Sequence, residues 1–80
     1  MRVDKFLKIS RVIKRRTVAK QACDQGRVMV NDKVAKAGTE VDIGDVIQIT
    51  FGNKELKIVI QKITESCKKQ DSEGMYDVIN

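Results

Sequence analysis

Residues 2–30, RVDKFLKISRVIKRRTVAKQACDQGRVMV, read as two short helices joined by a basic elbow, followed by a glycine stop and a strand. Val3, Phe6 and Leu7 fall at i, i+3 and i+4, which gives one apolar stripe and predicts a helix from about Val3 to Ile9. Asp4 lies in its first turn, where the helix dipole favours an anion. In the elbow, Val12 and Ile13 face the core while Lys14, Arg15 and Arg16 emerge on the far side. Thr17 reads as the N-cap of a second helix running to about Gln25, with Val18, Ala19, Ala22 and Cys23 turned inward. Gly26 stands where a left-handed residue ends a helix. Three cations thus sit beside the N–H groups of a helix start, a surface suited to a polyanion.

The composition narrows the functional classes. Eighty residues support one domain. Residues 1–37 hold 11 Lys and Arg against 3 Asp and Glu, a net +8, whereas residues 38–80 hold 5 against 8, a net −3. Clustered charge of one sign costs self-repulsion, so this asymmetry marks a binding face. There is no His, and only Cys23 and Cys67 among thiols, which excludes a four-ligand zinc site. A Cys23–Cys67 disulfide stays open. The cysteines lack a base partner, Glu40, Asp42 and Asp45 lie on turns where they shape loops, and no glycine-rich phosphate loop occurs. The expectation is a non-enzymatic protein without metal or cofactor. No apolar leader and no run of ~20 apolar residues is present, so a cytoplasmic protein without a membrane partner is expected.

After Gly26 the apolar period changes from 3.6 to 2. Val28 and Val30 form a strand, Asn31-Asp32 a two-residue hairpin loop, and Val34 the return strand. Residues 35–40 read as a loop, 46–51 as the strongest strand, Gly52-Asn53 as a turn and 56–61 as a final strand. Beyond Ile63 the composition becomes polar. This predicts a domain over residues 1–63 and a tail over 64–80, partly ordered or folding back through Met75, Tyr76, Val78 and Ile79. A docking segment is the alternative for that apolar cluster. On this reading a chain ending at Glu65 stays folded and keeps most of its affinity for the polyanion. The expected class is α+β, with two or three short helices on a small bent antiparallel sheet.

Residues 2–7 (RVDKFL), Ser10-Arg11, residues 14–17 opening a helix, residues 26–31 (GRVMVN) and residues 44–47 (GDVI) together resemble the S4 RNA-binding domain over about residues 1–50. Asp32 departs from the glycine common in that family and affects only the turn. The resemblance implies helices that bind RNA from a bent antiparallel sheet. The whole chain looks most like the short stand-alone S4 proteins of ribosome-associated quality control. That likeness implies binding to obstructed 50S subunits, contacts to 23S rRNA and P-site peptidyl-tRNA, and a partner protein that extends stalled chains with alanine. A heat-shock-type S4 protein that recycles free 50S subunits with a trapped nascent chain, or a generic structured-RNA-binding module, is the alternative, and a monomer is expected in each case.

The residue-level reading supports RNA independently. A-form RNA offers phosphates and 2′-hydroxyls rather than major-groove edges, and a compact set of cations reads that shape. Arg2 and Arg16 rank first, then Lys14, Arg15 and Arg11, with Lys5, Lys8 and Lys20 peripheral. Asp4 is expected to orient a neighbouring Arg or cap the helix. With 4% aromatic residues, a stacking platform is not the expected mode. A helix-turn-helix DNA reader is weakened because the charge precedes helix two rather than lining it. A pure protein-interaction domain would rely on the apolar tail instead, and a steep salt dependence of binding would argue against it.

Overall fold

The computed structural model describes residues 1–63 and 74–79. Two helices, α1 (Val3–Ile9) and α2 (Arg16–Asp24), pack on five strands: β1 (Val28–Val30), β2 (Lys33–Val34), β3 (Val46–Phe51), β4 (Lys54–Ile60) and β5 (Tyr76–Val78). All pairings are antiparallel, in the order β2-β1-β3-β4-β5. Among the described residues, no helix is long and apolar enough to cross a membrane.

The turns follow from backbone chemistry. Asn31 and Asp32 both adopt positive φ (51° and 68°) between the paired residues Val30 and Lys33. That is the type I′ geometry whose twist matches the flanking strands. Helix α2 ends on Gly26 at φ 73°. The Gly26 N–H donates to the Cys23 carbonyl and the Arg27 N–H to the Ala22 carbonyl, a Schellman closure that satisfies two orphan carbonyls.

Alternation along the strands sends Val28, Val30, Ile47, Ile49, Ile58 and Ile60 into one core, where they meet Val3, Phe6, Leu7 and Ile9 of α1 and Ala19 and Cys23 of α2. At seven residues α1 is too short to persist alone, so this burial holds it. Its N-cap residue, Arg2, makes no side-chain cap bond. Instead Val3 N–H donates to the Thr39 carbonyl (2.8 Å) and Asp4 N–H to the Ala37 carbonyl (3.4 Å). The segment 35–40, read from sequence as a loop, therefore packs as a structural element, with Ala35 and Ala37 buried.

Two expectations are corrected. Helix α2 starts two residues early: Arg15 rather than Thr17 is its N-cap, with no side-chain cap bond, and Thr17 is exposed inside the first turn. This register puts Arg16 in the helix, facing α1. Val18 is exposed rather than inward, because the buried arc centres on Ala19 and Cys23 and successive residues turn by roughly 100°. The tail also contributes to the core. Met75 is fully buried, β5 pairs with β4, and the Met75 carbonyl accepts the Gln61 and Lys62 N–H groups. A chain ending at Glu65 would lose a core side chain and expose the edge of β4. The polar stretch of 64–73, with Cys67, lies outside the described residues.

Met75→Ala is expected to destabilise the protein by about 2–5 kcal/mol, comparable to Leu7→Ala. Urea denaturation of the two variants checks this. A loss under about 1 kcal/mol for Met75→Ala would place that side chain outside the core.

Candidate nucleic-acid interface

The site is built on a carboxylate out of contact with water. Asp4 is 2% exposed. Its Oδ1 accepts the Lys5 backbone N–H at 2.8 Å, and its Oδ2 accepts from Arg2 Nη2 at 3.3 Å and Arg16 Nε at 3.4 Å. Because the loop carbonyls of Ala37 and Thr39 serve the first N–H groups of α1, the Asp4 carboxylate is available for the arginines. Both guanidiniums remain about half exposed, at 49% and 47%. Each has five N–H donors and spends one on Asp4, so most of each fork faces outward. Such a fork fits phosphate oxygens bidentately.

Arg2, Asp4, Arg16, Thr17 and Lys20 line one cleft of about 280 Å³. Three cations against one carboxylate give it net positive charge. Gly38 lies alongside: a Cβ there would stand 4.0 Å from Arg2 Cζ and Nε, so the 36–39 turn forms a wall against that guanidinium. Glu40 forms a bridge with Arg2 through the backbone and pairs with the N-terminal amine at 2.8 Å, which fixes the strand of chain carrying Arg2.

The remaining predicted residues surround this cleft unevenly. Lys14 and Arg15 are exposed on the elbow and have no ion pair among the described residues. They sit at the N-terminus of α2, where cations oppose the helix dipole by about 0.3–1 kcal/mol each. Arg11 is exposed with φ 65°, at the position after the α1 C-cap where glycine is usual. A left-handed non-glycine residue costs on the order of 1–3 kcal/mol. Lys5 and Lys8 are half-buried on α1 and each engages another group. Stability alone would place none of these cations at the start of α2, which is how a site for an external anion differs from a solvated surface.

Among the described residues no group of acidic, His or Cys side chains could hold a metal. Cys23 is a buried free thiol. Burial first, then the negative charges of Asp4 and Asp24, push its pKa up to about 11, so it stays protonated and unreactive at neutral pH. Asp42 and Asp45 shape a loop: Asp45 accepts from Asn31 Nδ2 at 3.1 Å and from the Asp42 N–H at 2.8 Å.

Comparison with known proteins gives a consistent result. The sequence profile of the S4 domain matches residues 1–47. The chain is 49% identical over its full length, and over 91% of the other protein, to "RQC P-site tRNA stabilizing factor" of Streptococcus pneumoniae. It is 51% identical to the protein of that name in Halalkalibacterium halodurans, over 98% of this chain and 89% of that one. Among solved structures, the trimeric heat shock protein 15 of Vibrio cholerae superposes with a TM-score of 0.89 at 30% identity, covering 99% of this chain and 81% of the other.

Either Arg2→Ala or Arg16→Ala alone leaves Asp4 one arginine beside the Lys5 N–H and is expected to cost about 1 kcal/mol or less. The double variant strands a buried carboxylate and is expected to cost about 3–5 kcal/mol, well beyond the sum of the singles. Chemical denaturation of the four proteins measures this. Small additive losses would mean that Asp4 does not depend on the pair.

Proposed function

The chain belongs to the S4 domain family, and from that premise we propose that it is an RNA-binding factor of ribosome-associated quality control, acting by binding rather than by catalysis. It binds obstructed 50S subunits in the cytoplasm as a monomer. There it contacts 23S rRNA and P-site peptidyl-tRNA, and so supports the partner protein that adds alanine to stalled chains. The observation that carries this reading is the Asp4-held pair Arg2 and Arg16, with Lys20 in the same cleft and Lys14 and Arg15 beside it. A preorganised set of forks and point charges fits a phosphate array of fixed spacing. The P-site tRNA in this reading is supported by the name its relatives carry, RQC P-site tRNA stabilizing factor. Higher identity to those relatives favours this reading over a heat-shock-type recycling factor.

Binding here means positioning. Phosphate contacts fix register and orientation without reading sequence. A small rigid body that touches rRNA and tRNA together holds the tRNA acceptor end where the next transfer needs it, because each contact raises the effective concentration of the other.

Cosedimentation with purified 50S particles across a salt series tests the proposal. Particles carrying P-site peptidyl-tRNA are expected to bind more tightly than empty ones. Affinity is expected to fall with a log–log salt slope of about −3 or steeper, since three or more cations meet phosphate. Charge reversal at Lys14 and Arg15, neither of which pairs with Asp4, is expected to flatten that slope. Equal binding to loaded and empty particles would remove the tRNA from the reading.

A further inference from the structure

The flank of α2 opposite Asp4 bears a second cleft, of about 190 Å³. Ile13, Val18 and Phe51 give it apolar lining, and Gln21, Gln25 and Arg27 give it polar lining. Val18 and Phe51 are 46% and 44% exposed. Phe51 shares the strand parity of Ile47 and Ile49 but lies at the end of β3, past the buried part of the sheet. Helix α2 leaves Val18 outside its buried arc on the same side. Two side chains that would ordinarily be covered thus converge on one opening.

Arg27 lines the cleft with Phe51, and Lys54 stands at its rim as the residue paired with Phe51 across the strands. The Arg27 carbonyl accepts the Thr50 N–H at 2.9 Å, which ties Arg27 to the end of β3. Neither Arg27 nor Lys54 has an ion pair among the described residues. The two glutamine amides offer both donors and acceptors. An aromatic face, an apolar wall, amides and two unpaired cations match a nucleobase with its adjoining phosphates, because a base supplies a π-face, a polar edge and negative charge within one residue. An apolar protein side chain would match the wall and leave the cations unexplained.

The two clefts share no lining residue and lie on opposite flanks of one helix, α2. Ile13 lines the second and closes the elbow that bears Lys14 and Arg15, and an α-helix is about 10–12 Å across, so one RNA segment reaches both flanks of α2. We propose that this second cleft holds one unpaired nucleobase of the bound RNA, stacked on Phe51, with its neighbouring phosphates on Arg27 and Lys54. The proposal rests on the RNA-binding reading above and adds what that reading lacks: a contact that separates an unpaired nucleotide from a continuous duplex.

The test uses the full chain and two hairpin RNAs, one with a single bulged 2-aminopurine and one fully paired. The wild type is expected to prefer the bulged hairpin by about 5- to 100-fold and to quench the 2-aminopurine. Phe51→Leu keeps apolar volume and is expected to lose both preference and quenching, and Phe51→Trp to retain them, with unchanged urea midpoints. Arg16→Ala is expected to weaken both hairpins alike and leave their ratio intact. Equal affinity for both hairpins without quenching overturns the base site and leaves RNA binding standing. Failure to bind either hairpin overturns both. Relief of quenching by a glutamate-rich peptide bearing one leucine, with the hairpin still bound, assigns the cleft to a protein and overturns the proposal.

Discussion

A carboxylate buried beneath two arginines is the constraint on which the rest of the structure depends. Taking the Asp4 charge out of water costs several kcal/mol unless it is paired and hydrogen-bonded. The fold meets this cost from three directions. The Lys5 N–H binds one oxygen, Arg2 reaches the other from the adjoining chain, and Arg16 reaches it from the first turn of α2. Arg16 can do so only if α2 begins at or before it. The start of α2, the crossing of the helices and the docking of residues 37–39 against α1 are one coupled arrangement.

That arrangement leaves a surplus of positive charge. Lys14 and Arg15 precede a helix start that would favour an acid, and Arg11 holds a backbone conformation suited to glycine. Each is a local cost. The cations are already oriented before a ligand arrives, so less side-chain freedom is lost on binding. A phosphate entering the cleft finds forks whose free donors point outward and a helix N-terminus of matching sign. The second cleft on the other flank of α2 extends the same logic from charge to shape.

Local features were legible in the sequence because their causes are local. The span of α1, the Asn31-Asp32 turn, the Gly26 stop and the β3 strand each follow from spacing or from a residue's tolerance of positive φ. The basic residues were legible for the same reason, and so was the idea that Asp4 orients a neighbouring arginine. What was hidden depended on contacts between distant segments. Arg16 lies 12 residues from Asp4, so only packed helices reveal their pairing. Thr17 looked the better cap, and tertiary pairing moved the helix start past that preference. Ala35 and Ala37 looked like loop residues because helix capping by a remote backbone leaves no pattern. The apolar cluster at Met75 was legible, but its strand pairing with β4 was not, because a polar stretch separates the two in sequence. Phe51 fitted its strand, and only the position of α2 shows that its ring lines a cleft.

The central claim is that Asp4 acts by holding two arginines, so geometry outweighs net charge at this surface. Asp4→Asn separates the two directly. It keeps the side chain's size and raises the net positive charge by one. RNA affinity at fixed salt should be measured for this variant beside the wild type, with thermal denaturation confirming that both are folded. Loss of the carboxylate frees Arg2 and Arg16, and affinity is expected to fall by about tenfold despite the added charge. Affinity equal to or above the wild type would show that the basic surface works through charge alone, and would contradict the account.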